Sequence, residues 1–159
     1  MKVKGITDED FVNYAKPSMY ICTHTCDFKC ERESKTKCCQ NSEVAMSPDI
    51  EIEDDEIIRR YLSNGITHAI VFGGLEPFDQ YEELIVFVNN LRTNYHCMDD
   101  IVIYTGYYPD EIVGEIATLS HFKNIIVKFG RYIPGQERKF DTTLCVWLAS
   151  QNQFSERIS

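Results

Sequence analysis

Polar stretches and short runs of Ile, Val, Leu and Phe alternate along this chain, and the period of each run predicts an element. Residues 1–16 are polar with a few apolar anchors, and SMYIC (18–22) reads as a short first strand. From Thr23 to Asp49 the chain is almost wholly polar. A structureless connection of that length is disfavoured in a compact domain unless something orders it. Ser47-Pro48-Asp49 followed by Glu51 signals a helix start; Ile57, Ile58, Tyr61 and Leu62 then fall at helical spacing, with Gly65 as the stop. HAIVFGG (68–74) is a continuous apolar run and predicts a buried strand. A helix begins at Asp79 or Gln80, with Leu84, Ile85, Phe87, Val88 and Leu91 as its apolar positions. DIVIYTGY (100–107) repeats the strand pattern, PDEIVGEIATL (109–119) is a shorter helix, NIIVKFGRYI (124–133) is another strand, and TLCVWLA (143–149) is one more.

Apolar strands separated by amphipathic helices predict an α/β fold with a mostly parallel sheet and right-handed crossovers. Such sheets carry their working residues beyond the C-terminal ends of the strands. THTCDFKC, GGLEPF, TGYYPD and GRYIPGQ each follow a strand directly, so these loops are expected on one rim. The organisation predicted is one domain over 1–159, with a loop at 23–49 and a βα core over 50–149.

Composition narrows the class. The chain has 159 residues, 43% of them hydrophobic, enough for a real core and well clear of disorder. It holds no apolar run near the roughly 18 residues of a membrane span, and MKVKGITDEDFV lacks the apolar stretch of a secretory signal. It reads as a cytoplasmic protein with no membrane partner. A net charge of −9, from 25 acidic and 16 basic residues, repels phosphate backbones and argues against nucleic acid.

Seven cysteines change the picture most, because Cys22, Cys26, Cys30, Cys38 and Cys39 lie so close together. An odd number with no secretory signal argues against a disulfide framework and for metal or redox chemistry. Cys145, within an apolar run, is expected to be a buried small hydrophobe, and Cys97 has no assigned role. Thiolates select zinc, copper or iron–sulfur centres over magnesium or calcium. The spacing is not the paired CxxC ladder of structural zinc, although Cys26, Cys30, Cys38 and Cys39 could form a four-sulfur site. Iron–sulfur, zinc and inert or redox thiols all stay open on spacing alone. His24 sits beside the cluster; the other histidines are scattered.

The arrangement resembles the radical S-adenosylmethionine (SAM) enzymes, and most closely the small activating proteins of anaerobic ribonucleotide reductases. Their signature is a strand leading into Cys-x3-Cys-x2-Cys, with Asn two residues after the last cysteine. His24-Thr25-Cys26-Asp27-Phe28-Lys29-Cys30 resembles the first half and Cys39-Gln40-Asn41 the ending, with eight residues (31–38) where the family has two. The resemblance implies Cys26, Cys30 and Cys39 as ligands of a [4Fe–4S] cluster. Cys22 with Cys26 and Cys30 is the rival set, and Cys38 could replace Cys39. Cys38 occupies the family's aromatic position, and Phe28 could partly compensate against the adenine.

Gly73-Gly74-Leu75-Glu76-Pro77 resembles the loop that holds SAM's amino group, with Glu76 fixing the loop or adding charge. Thr105 and Gly106 resemble a threonine–glycine–tyrosine segment, with Thr105 toward ribose or carboxylate or simply packing its loop. Arg131, in GRYIPGQE, would meet the SAM carboxylate or form a surface pair; Phe129 stands where the family often has Asp. Asn152 and Gln153 match the family's ending. The implied fold is a truncated, partial βα barrel with one open side. The implied reaction is reductive cleavage of SAM to methionine and a 5′-deoxyadenosyl radical. That radical abstracts hydrogen from a glycine of a glycyl-radical enzyme such as anaerobic ribonucleotide reductase, with a flavodoxin-like or other protein as electron donor. The alternative is a non-catalytic iron–sulfur or zinc protein of electron transfer or partner binding.

Overall fold

The computed structural model describes residues 1–159 throughout. Strand β1 (Lys2–Asp10) pairs antiparallel with β2 (Ser18–Thr23). Two short helices follow, α1 (Lys29–Ser34) and α2 (Ser42–Met46), and then the two-residue strand β3 (Ile50–Glu51), which pairs with β1. Helix α3 (Asp54–Ser63), strand β4 (Ala69–Gly73), helix α4 (Tyr81–Thr93), strand β5 (Asp100–Tyr104), helix α5 (Val113–Leu119) and strand β6 (Ile125–Phe129) form the βα core. A hairpin of β7 (Lys139–Asp141) and β8 (Val146–Leu148) and a final strand β9 (Phe154–Arg157) complete the chain.

The seven-stranded sheet runs β3-β1-β2-β4-β5-β6-β9. Its centre, β2-β4-β5-β6, is parallel and in sequence order, while β1, β3 and β9 are antiparallel additions at the edges. The mostly parallel α/β sheet is as the strand pattern predicts, and its form is that of the partial βα barrel the family resemblance implies. Continuous apolar strands are needed because both faces are covered. On one face Met19, Ile21, Ile70, Phe72, Ile101, Ile103, Ile125 and Val127 pack against α3 and α4 through Ile57, Ile58, Tyr61, Leu84, Phe87, Val88 and Leu91. Phe72 meets Phe87 edge-on with ring centroids 5.3 Å apart. On the other face Ala69, Val71, Val102 and Ile126 meet Tyr14 and the hairpin residues Leu144 and Leu148. Each fully buried Ile, Leu or Phe contributes roughly 1.5–3 kcal/mol, so the core is spread over many equivalent contacts.

Several expectations are corrected. The first strand is Lys2–Asp10, not 18–22; most of its polar residues are exposed or half-buried, and β3 pairs only with its first two residues. The stretch 23–49 is not one loop, since it holds α1 and α2. Leu62 is exposed rather than part of the α3 stripe, and Cys145 is exposed at a positive φ of 58°, in the turn before β8 rather than in its core. No helix is long and apolar enough to cross a membrane.

Candidate iron–sulfur site

The C-terminal ends of β2, β4, β5 and β6 open onto one cavity of about 380 Å³. Cys26, Cys30 and Cys39 all line it, together with Gly74, Leu75 and Glu76 after β4, Thr105 and Gly106 after β5, and Arg131 after β6. Cys22 and Cys38 do not line it. Cys22 extends to the opposite side of the loop, where a methyl group added at Gly74 would lie 2.1 Å from its sulfur. Gly74 also has φ +81°, so glycine is required there on two counts. Cys38 turns back onto its own segment, with its sulfur 3.3 Å from Ser34 Oγ.

The cysteine segment is tied to the glycine loop at three points. Glu76 N donates to Thr25 O at 2.8 Å, Thr23 Oγ1 donates to Gly73 O at 3.1 Å, and Asn41 Nδ2 donates to Gly74 O at 2.5 Å. The asparagine two residues after Cys39 therefore locks the loop that follows β4. Glu31 holds Cys39 from the other side, accepting its backbone N–H at 3.0 Å. Phe28, in the left-handed conformation at φ 54°, begins α1 and does not reach the cavity wall; neither does Gly73, whose carbonyl is engaged by Thr23.

Glu76 is the centre of the rim. It is buried, and its carboxylate accepts from Thr105 Oγ1 at 2.7 Å, Gly106 N at 2.8 Å and Phe78 N at 3.1 Å, so it joins the loops after β4 and β5. Burial pushes its pKa up to about 7 against the pull of those donors. The Thr105 hydroxyl is thereby committed to the loop. Arg131 is held as firmly. All five of its N–H donors are used: two on Glu33, two on Glu111 and one on Gly106 O, at 2.7–2.9 Å. Its guanidinium lies 4.8 Å from the centroid of the Tyr108 ring. Gln153, at the chain's end, packs under the same rim, with Nε2 donating to Gly130 O at 3.1 Å.

Thiols are soft ligands, suited to iron–sulfur centres and to zinc. The ligand atoms of Cys26, Asp27 and Asp79 lie within 4.8 Å of one another, and the three cavity thiols are spread more widely than that. Burial pushes the Cys26 thiol up to about 12 and, with help from Cys39 and Cys38, the Cys30 thiol up to about 11. Loading a metal on them therefore releases protons. All three remain partly exposed, which leaves the centre reachable from the cavity mouth.

The 4Fe-4S single cluster domain family matches residues 18–154, most of the chain. The chain belongs to that family. This 4Fe-4S domain binds one cluster and is of the type found in radical SAM enzymes. No curated protein and no solved structure matches it. Three soft thiols on one cavity fit the cluster the 4Fe-4S domain implies, since three protein ligands leave one iron without a protein ligand. Sequence reasoning did not single out four cavity residues: Tyr20, Tyr104, Lys128 and Trp147. The first three alternate along the inner face of their strands, and Lys128 had a signal, a charge inside the apolar run IIVKF.

Proposed function

We propose that this 4Fe-4S domain is a radical SAM activating enzyme, with Cys26, Cys30 and Cys39 holding the cluster and the rim of β4, β5 and β6 holding SAM. The observation that carries the reading is the shared cavity: those three thiols and the Gly74–Glu76 loop line it, and Cys22 and Cys38 do not. When bound, the cluster and SAM supply a 5′-deoxyadenosyl radical able to remove a hydrogen atom. The chain's own residues do the rest. Asn41 and Glu76 fix the glycine loop, in which Gly74 carries no side chain and lets an ammonium group approach the backbone. Glu76 also ties the loop after β5 to it, so the two walls keep their spacing. Tyr20, Tyr104 and Leu148 exclude water from the floor.

The mouth of the cavity is not covered by the chain, which suits a target carried by another macromolecule. A glycine of a glycyl-radical enzyme such as anaerobic ribonucleotide reductase is the target we favour, with a flavodoxin-like protein or another donor as the source of electrons. The test is anaerobic reconstitution followed by titration with SAM, recording electron paramagnetic resonance and 5′-deoxyadenosine together. Expected are a signal that shifts with SAM and nucleoside formation, both lost in Cys39→Ala and kept in Cys22→Ala. Loss only in Cys22→Ala moves the cluster to the rival cysteines. Full iron with neither shift nor nucleoside leaves an electron-transfer or partner-binding module.

A further inference from the structure

Three cations line the cavity: Lys29, Lys128 and Arg131. Lys29 is paired with Glu111 and sits over the Tyr107 ring at 4.9 Å. Arg131 has no N–H left to offer, as described above. Lys128 differs from both. It projects from the inner face of β6, is buried, and makes no ion pair with any carboxylate. Of its three donors, one reaches Gly130 O at 2.8 Å, and its ammonium lies 6.0 Å from the Tyr104 ring centroid. The nearby carboxylate, Glu76, accepts instead from Thr105, Gly106 and Phe78.

A buried ammonium with unspent donors is costly, because its hydration is lost and a single carbonyl, Gly130 O, replaces only part of it. Burial accordingly lowers its pKa to about 8, with Glu76 pulling the other way. Its position in a cavity open to ligand, with an unspent positive charge, gives that charge a purpose that packing does not. We propose that Lys128, not Arg131, is the residue that takes the α-carboxylate of the bound sulfonium ligand. The inference rests on the reading of this site as a SAM site. It reassigns the carboxylate contact from the rim arginine, which Glu33 and Glu111 already neutralise, to the floor lysine.

The test compares Lys128→Met with the wild type by calorimetric titration of the cluster-loaded, unreduced protein, so that no turnover occurs. The two ligands are SAM and decarboxylated SAM, which lacks only the carboxylate. SAM is expected to bind Lys128→Met about ten- to a hundredfold more weakly, as for loss of a charged hydrogen bond. Decarboxylated SAM should bind variant and wild type alike. Because methionine removes an unpaired buried charge at similar length, the ligand-free variant should melt at the same temperature or higher. Equal losses for both ligands, or a lower melting temperature with them, would show a structural lysine and overturn the proposal. Unchanged SAM affinity in Lys128→Met overturns it alone, whereas a wild type that does not bind SAM overturns the functional reading with it.

Discussion

At the scale of single residues, the buried charges of this protein differ in how far the fold supplies their partners. Asp100 is fully supplied. At the start of β5 it accepts from Tyr14 at 2.9 Å, Lys16 at 2.5 Å and Arg157 at 2.9 Å, joining the segment after β1 to the last strand beneath the barrel floor. Burial works to raise its pKa, but those donors outweigh it and hold the carboxyl below the usual aspartate value. A depressed folded pKa contributes stability above the unfolded value, near 3.9, and loses it as pH falls through the folded one. Asp100→Asn should therefore cost roughly 1–3 kcal/mol at neutral pH. The gap between the two melting temperatures should stay constant from neutral pH to about pH 5 and narrow below about pH 4. A gap that widens in acid would sink this assignment. Lys128 stands at the other extreme, with Gly130 O as its one hydrogen-bond acceptor and no carboxylate paired to it.

At the scale of elements, what the sequence reveals follows from how each segment is solvated. β4, β5 and β6 were legible because they are apolar on both faces, and α4 because Leu84, Phe87, Val88 and Leu91 recur at helical spacing. β1 was not, since KVKGITDED, paired on its outer side only at Lys2 and Val3, is mostly polar and half-exposed and offers little periodicity. β7 and β9 are too short for a pattern to emerge. The cysteines and the glycine loop were legible as chemistry, and their common cavity agrees with the strand-end rule. The state of Arg131 was not, because Glu33 stands 98 residues away and only the fold brings it near. That contact makes α1 a tethered element. Glu33→Gln should raise hydrogen exchange across residues 29–39 while leaving α3 and α4 unchanged. Its global stability should fall by no more than about 1 kcal/mol, the usual worth of a partly exposed ion pair. Exchange unchanged across 29–39 would show that the tether does not hold the cysteine segment.

At the scale of the whole molecule, the parallel centre positions the chemistry and the added pieces shape access to it. The β7–β8 hairpin covers the inner face through Leu144 and Leu148 and brings Trp147, the only tryptophan, to the cavity wall while leaving it largely exposed. Trp147 packs against Phe140, ring centroids 5.6 Å apart. An absorbing cluster on Cys26, Cys30 and Cys39 would lie across the same cavity. Tryptophan emission should therefore fall when the protein is loaded with iron and sulfide and recover when they are removed. Emission that ignores loading would place the cluster elsewhere.

The uncovered mouth has a consequence for the protein in air. Dioxygen needs no fluctuation of the backbone to reach the three thiols, since each is already partly exposed. The centre's lifetime is then set by gas concentration and diffusion, not by how often the chain unfolds. Tightening the core would not prolong it; a body seated over the opening would.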